Sequence, residues 1–308
     1  MSWLIVGTVP QEAFPLVHEK VFLEGGHLRV GSYHIPVARG TPALVAAAVQ
    51  AGSIFGNPDI DVLLAGDTGR GRGSDRIYRY FQDMDRSRYK GITFHYLQPD
   101  IDGHNRVWMA LESDAKRPIL VADAGFMYVA KMSGYAAQYD LFTPDAGELA
   151  FLADEKAPHP FYTRGFLLQS DAALSDLIEK AYTHHNAARH LLIKGKTDVV
   201  VAAGQIIAEI SEPCVPVLEP IGGTGDTVTG IATALLDMGM AMTTACRVAA
   251  ITNRLMGKRA SPDPASSICD LLGFLPQALI ETLKHREQFL HQDHEALEAA
   301  PFSLPPLT

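Results

Sequence analysis

Between residues 61 and 256 the chain alternates short apolar runs with segments of helical periodicity. This alternation is the mark of βαβ units built on a mainly parallel sheet, because parallel neighbours need a crossover that is usually a helix. Core strands are expected at Asp61–Ala65, Ile92–Leu97, Pro118–Asp123, Tyr139–Thr143 and His190–Lys194, with a hairpin from Asp198 to Ile210 turning at Ala203-Gly204. Helices are predicted over Pro42–Ala51, Ser74–Met84, Gly125–Ala137, Ala172–Tyr182, Asp226–Met238, Thr243–Met256 and Pro276–Gln292. Residues 7–40, richer in Gly, His and β-formers, are expected to form strands at the sheet margin or a small lid. The tail after Ala299, PFSLPPLT, reads as extended. No repeat or linker divides the sequence, so a single α/β domain over 1–308 is expected.

Charge and cysteine usage narrow the function. A net charge of −9 leaves no basic excess to neutralise nucleic-acid phosphates, which excludes a general nucleic-acid binder. The three cysteines, Cys214, Cys246 and Cys269, are far apart and have no CxxC spacing, and read as reduced structural thiols. No run reaches membrane-spanning length, and Met1–Gly7 lacks a charged leader region, so a cytoplasmic protein with no membrane partner is expected. The expected partner is a small-molecule substrate, and the expected state a homo-oligomer.

In an open parallel sheet, ligands bind outside the carboxyl ends of the strands. Polar or glycine-rich groups follow the predicted strands there, at Gly66–Gly73 (GDTGRGRG), Asp123-Ala124-Gly125, Thr143–Glu148 (TPDAGE) and Lys194–Asp198 (KGKTD). The most pointed segment is Ile221-Gly222-Gly223-Thr224-Gly225-Asp226, which opens a helix carrying Val228, Ile231, Ala232, Leu235 and Leu236 at helical spacing. A glycine-rich turn at a helix N-terminus exposes backbone N–H groups and the positive end of the helix dipole, a setting for phosphate. Gly222, Gly223, Thr224 and Gly225 are therefore candidate phosphate-binding residues. A carboxylate at that mouth, Asp226, fits a general base, and it equally fits a plain helix cap.

The other groups carry two readings each. Asp145 and Glu148, three apart at a helix start, are suited to order a hydrated Mg²⁺, or to complement a helix dipole as first-turn carboxylates. Lys194, Lys196 and Thr197 either meet nucleotide phosphates or form an exposed turn. Gly69, Gly71 and Gly73 follow G-x-G-x-G rather than the Rossmann spacing, and read as a phosphate-handling or substrate-side loop, or as a plain loop. No Walker motif, HExxH or G-x-S-x-G occurs, so the sequence offers no support for a Walker-type NTPase, a zinc site or a serine hydrolase.

The order strand–DAG, strand–TPDAGE, strand–KGKTD, hairpin and GGTGD–helix resembles the ribokinase-like superfamily, and within it the ATP/ADP-dependent NAD(P)H-hydrate dehydratase branch. The matching segments are TPDAGE at 143–148, KGKT at 194–197 and GTGDTVTG at 223–230. Ala38-Arg39-Gly40-Thr41-Pro42-Ala43 and the alanine-rich stretch after it resemble that branch's substrate segment. The resemblance implies a three-layer α/β/α sandwich with a central, mostly parallel sheet. It also implies ATP or ADP with Mg²⁺, Asp226 as catalytic base, and Gly40, Thr41, Gly69 and Asp145 on the substrate side. Asp145 departs from the histidine usual in the TPHPGE-like segment and approaches the Asn-x-x-Glu of sugar kinases. Three outcomes follow: phosphorylation and elimination on a hydrated nicotinamide cofactor, phosphorylation of a sugar, vitamin or nucleoside, or nucleotide binding without turnover.

Overall fold

A computed structural model of the chain describes residues 1–56, 58–156 and 174–285. They form two compact units: Met1–Lys20 with Ile60–Glu209, and Val21–Asp59 with the chain from Ile210 onward. The fold is α/β, with a mixed sheet whose central strands are mostly parallel.

In the first unit, β1 (Ser2–Val9) lies between β5 (Ile60–Gly66) and β6 (Tyr89–His95) and is parallel to both. The parallel run continues through β7 (Ile119–Ala122), β8 (Leu141–Phe142) and β9 (His190–Ile193). β10 (Asp198–Ala202) then pairs antiparallel with β9, and β11 (Gln205–Ile210) follows it after the turn at Ala203-Gly204. On the far side, Val17–Lys20 of β2 (Val17–Glu24) runs antiparallel to β5. All eight residues of β1 are buried, and SWLIVGTV is nearly continuous in apolar side chains, as a strand enclosed on both faces requires.

Among the described residues, these strands are accompanied by α2 (Arg72–Asp83), α3 (Ile101–Glu112), α4 (Gly125–Met132), α5 (Ala146–Ala153) and α6 (Leu174–Thr183). Their apolar faces meet the sheet in one aromatic core, where Phe94 and Phe126 stack with ring centroids 4.1 Å apart among Phe81, Tyr78 and Tyr139.

The second unit contains an antiparallel meander, in which Val21–Glu24 of β2 pairs with β3 (His27–Val30), and β3 with β4 (Tyr33–Pro36). Its helices are α1 (Thr41–Gly52), α7 (Thr224–Asp237), α8 (Met242–Ala260), α9 (Ile268–Leu272) and α10 (Leu275–Lys284). α1 packs on α7, α7 on α8, and α8 on α10. The α1–α7 crossing is close because Gly230 presents no side chain. A Cβ there would lie 2.2 Å from the Leu44 carbonyl oxygen and 2.9 Å from the Ala47 Cβ.

Most expected elements are present with shifted ends, and the departures have physical causes. β1 was not foreseen; its place in the sheet comes from its pairing with β5 and β6. α3 was also missed; Asp100 caps it by accepting from Asp102 N at 3.1 Å. The helix expected to reach Ala137 stops at Met132, where Gly134 turns the chain at φ 78°. The Tyr139–Thr143 strand is only two residues long, because Pro144 and Asp145 lead at once into α5. Residues 172–173, 286–292 and the tail after Ala299 lie outside the described residues. Among those described, no helix is long and apolar enough to cross a membrane.

Replacing Gly230 with alanine drives a methyl group into the α1 backbone. We expect a loss of about 1–3 kcal/mol from overpacking, read as a lower midpoint in urea unfolding; an unchanged midpoint would show that the two helices separate freely.

Candidate functional site

The glycine-rich segment lies in the second unit. Gly223 caps α7 in the left-handed region, at φ 102°, where a side chain would be strained and would also crowd Ile268 at 3.2 Å. The first intrahelical bond runs from Thr227 N to the Gly223 carbonyl, so the N–H groups of Thr224 and Gly225 have no acceptor within the helix. Asn253 of α8 holds this turn from behind. Its amide donates to the Thr224 carbonyl at 3.2 Å, and its oxygen accepts from the Thr227 hydroxyl at 2.6 Å.

Asp226 is in the first turn of α7 and does not cap it; Gly223 does, without a side chain. Asp226 Oδ2 instead accepts from the Gly40 backbone N–H at 2.7 Å. Gly40 is the cap of α1 and likewise offers no side chain, so two helix N-termini meet at one carboxylate. Thr41, the first residue of α1, is buried. The stem of Arg39 runs beside Gly222, its Cδ 3.5 Å from where a Cβ at 222 would stand. This arrangement can hold an anion on the α7 amides with a carboxylate fixed alongside.

In the first unit, polar groups collect at the carboxyl ends of β6, β7, β8 and β9. Asp123, following β7, is 1% exposed, and both of its oxygens receive the Lys194 ammonium, at 2.9 and 3.0 Å. His95, at the end of β6 and fully buried, has Nε2 3.9 Å from Asp123 Oδ2. Lys194 was read as a nucleotide-phosphate ligand, yet its ammonium is committed to this buried pair. Lys196 is exposed and Thr197 half-buried in the turn between β9 and β10, where Asp198 accepts from Gly195 N at 3.0 Å.

Asp145 and Glu148 form a reciprocal capping box on α5. Asp145 Oδ1 accepts from Glu148 N at 2.7 Å, and Glu148 Oε2 from Asp145 N at 2.8 Å. Tyr128 donates to the other Glu148 oxygen at 3.2 Å. Burial raises the Glu148 carboxyl above the usual range; Lys194 opposes this, and Asp123 and Asp145 add to it. The reciprocal hydrogen bonds are those of the first-turn, dipole-complementing reading of this pair.

The glycine loop after β5 is also corrected. Asp67 Oδ1 accepts from the backbone N–H groups of Gly69, Arg70 and Gly71, and Oδ2 from both Ser74 N and Ser74 Oγ, all at 2.9–3.0 Å. The amides that a phosphate would need are turned onto the chain's own carboxylate, so Gly69 does not offer its N–H to a substrate anion. Sequence reading passed over Asp67, Asp123 and His95 as individual sites. Each stands at the end of an apolar parallel strand, and that position was the available signal.

Over residues 100–283 the chain matches the family described as NAD(P)H-hydrate dehydratase. It is 35% identical over 242 residues to an uncharacterized protein of Methanocaldococcus jannaschii, spanning 78% of this chain and 100% of that one. Among solved structures it is similar to pyridoxal kinase from Lactobacillus plantarum, with TM-score 0.56 and 16% identity over 92% of this chain and 99% of that chain. Pyridoxal kinase from Staphylococcus aureus in complex with AMP-PCP and pyridoxal gives TM-score 0.53 and 13% identity over 83% and 88%. At these identities the structural likeness shows the ribokinase-like fold alone.

Two measurements test the local roles. Lys194→Met removes the ammonium from the buried Asp123 carboxylate, a change that costs about 3–5 kcal/mol in folded stability; a fully stable variant would return Lys194 to the ligand reading. Burial alone would raise the Asp67 carboxyl, but its Ser74, Gly71 and Gly69 donors outweigh that and hold it below the usual range. A depressed folded pKa stabilises the fold above the unfolded value, about 3.9, and that contribution is lost as pH falls through the folded one. Asp67→Asn should therefore lose about 1–3 kcal/mol at pH 7, with the gap to wild type narrowing in acid; a gap independent of pH would contradict the nest.

Proposed function

We propose, since the chain belongs to the NAD(P)H-hydrate dehydratase family of ribokinase-like enzymes, that it uses ATP or ADP to phosphorylate a hydroxyl group of a small molecule, with Asp226 as the base. The observation that carries this reading is the first turn of α7, where uncommitted backbone amides of Thr224 and Gly225 stand beside a carboxylate that is not the helix cap. Such amides suit a phosphoryl group, and phosphoryl transfer asks chiefly for positioning and charge stabilisation. A carboxylate next to an anion site opposes anion binding, and removal of the hydroxyl proton gives it a task that offsets this.

In the step proposed, the acceptor oxygen forms a bond to the terminal phosphorus as its proton passes to Asp226, and the bond to the nucleotide's bridging oxygen breaks. The nucleotide supplies the phosphoryl group. Gly40 N–H fixes the orientation of the Asp226 carboxylate, and Asn253 holds the turn. If the acceptor is a hydrated nicotinamide, the ring-nitrogen lone pair expels the new phosphate to leave an iminium, and loss of a proton from the adjacent ring carbon to solvent restores the ring double bond of the reduced cofactor. The family favours that outcome. The kinase outcome is the second reading, supported by Asp145 in place of the family's usual histidine, in a segment approaching the sugar-kinase pattern.

Incubation with hydrated NADH and each nucleotide, followed by the near-ultraviolet absorbance of reduced nicotinamide, separates the two. ADP release across a panel of hydroxylated metabolites covers the kinase. With whichever substrate turns over, Asp226→Asn should lower kcat by about 10²–10⁴-fold while nucleotide affinity holds or rises slightly. Normal turnover in that variant would remove Asp226 from the chemistry.

A further inference from the structure

Arg39 precedes the cap of α1, is exposed, and among the described residues makes no hydrogen bond or ion pair. Its place is nonetheless defined. The Gly40 N–H is fixed on Asp226, which sets the backbone at 39 next to the proposed base, and the aliphatic stem lies in contact range of Gly222. The neighbouring Ala38 and Gly222 are both exposed, as is Arg39, so this side chain is open to an arriving solute.

The charges at this corner favour a specific class of acceptor. Neither α1 nor α7 has a side-chain cap; α1 has no acidic residue in its first turn, and α7 has only Asp226. Two helix N-termini contribute roughly half a positive charge each, which offsets the carboxylate. Arg39 then adds a positive charge beside these helix ends, in a chain whose overall charge is −9. A neutral alcohol approaching Asp226 needs no such cation. An acceptor already carrying a negative group would be repelled by the carboxylate and by the donor phosphates, and a guanidinium at the entrance reverses that. Its planar fork also suits two oxygens of a phosphate or carboxylate.

We infer that Arg39 selects an acceptor bearing a phosphate or carboxylate close to the hydroxyl it presents to Asp226. This rests on the reading of Asp226 as the acceptor-side base. The same guanidinium chemistry would serve the phosphoryl group in transit, and the test separates the two sources.

Glycerol 3-phosphate and glycerol share hydroxyls and differ in the anion, and serve as probes. Their binding to the full chain is followed by ligand-observed NMR, with and without AMP-PCP, for wild type, Arg39→Gln and Arg39→Lys. Wild type should prefer glycerol 3-phosphate to glycerol by about tenfold or more, the scale of one charge-assisted contact. Arg39→Gln should abolish that preference and keep AMP-PCP affinity within about twofold, and Arg39→Lys should retain part of it. The proposal is overturned if wild type shows no preference for the anionic probe, or if Arg39→Gln leaves the preference intact. It is equally overturned if Arg39→Gln weakens AMP-PCP or inorganic phosphate as much as glycerol 3-phosphate, which would assign Arg39 to the transferring phosphoryl group. Failure of wild type to bind AMP-PCP would count against the nucleotide reading instead, and the comparison without nucleotide would still decide the role of Arg39. Because Arg39 is exposed, unchanged thermal unfolding of both variants serves as the control for folding.

Discussion

The hydrogen bond from the Gly40 amide to Asp226 joins the starts of two buried helices through one carboxylate. Both helices are capped by glycine, so neither end is satisfied by a neighbouring serine, threonine or aspartate in the usual way. The demand for an acceptor at α1 is met by a side chain of α7, and the approach this needs is possible because Gly230 lets the two backbones close on each other. Packing and chemistry are thus one constraint in this unit. The carboxylate that completes one helix end is also the one placed beside the first-turn amides of the other.

A second regularity concerns where the chain supplies its own counter-charges. Three strand ends in the first unit carry acidic residues, and each is answered internally. Asp67 fills a nest of loop amides, Asp123 takes both contacts of Lys194, and Asp145 and Glu148 cap α5 reciprocally. Buried or half-buried carboxylates need such partners, because an unpaired buried charge costs several kcal/mol. The α7 turn differs, since the amides of Thr224 and Gly225 face no such internal anion within their own helix. That contrast, rather than glycine content, distinguishes the proposed anion site from a self-satisfied loop.

Several features were legible in the sequence because their signals are local. The Ala203-Gly204 turn, the alternation of strands and helices, and the glycine start of α7 each depend on a few adjacent residues whose backbone preferences decide the outcome. The family resemblance was carried by three short motifs, and the match over 100–283 includes all three. β1 was not legible, although its composition is strongly apolar. Its place between β5 and β6 comes from pairing with residues about sixty and ninety positions away.

By itself the sequence determined the class of fold, the position of the glycine-rich turn that opens α7 and the carboxylate in that first turn, since propensity and motif spacing act over a few residues. The tertiary structure alone decided which polar groups answer one another. Lys194 finds Asp123 across 71 residues, and Asp226 finds Gly40 across 186. Sequence spacing holds no information about such pairs, because they follow from where parallel strands end and how closely two helices can approach. Only that geometry separates the GDTGRGRG loop, whose amides are turned onto Asp67, from the GGTGD turn, whose amides remain available to a phosphate.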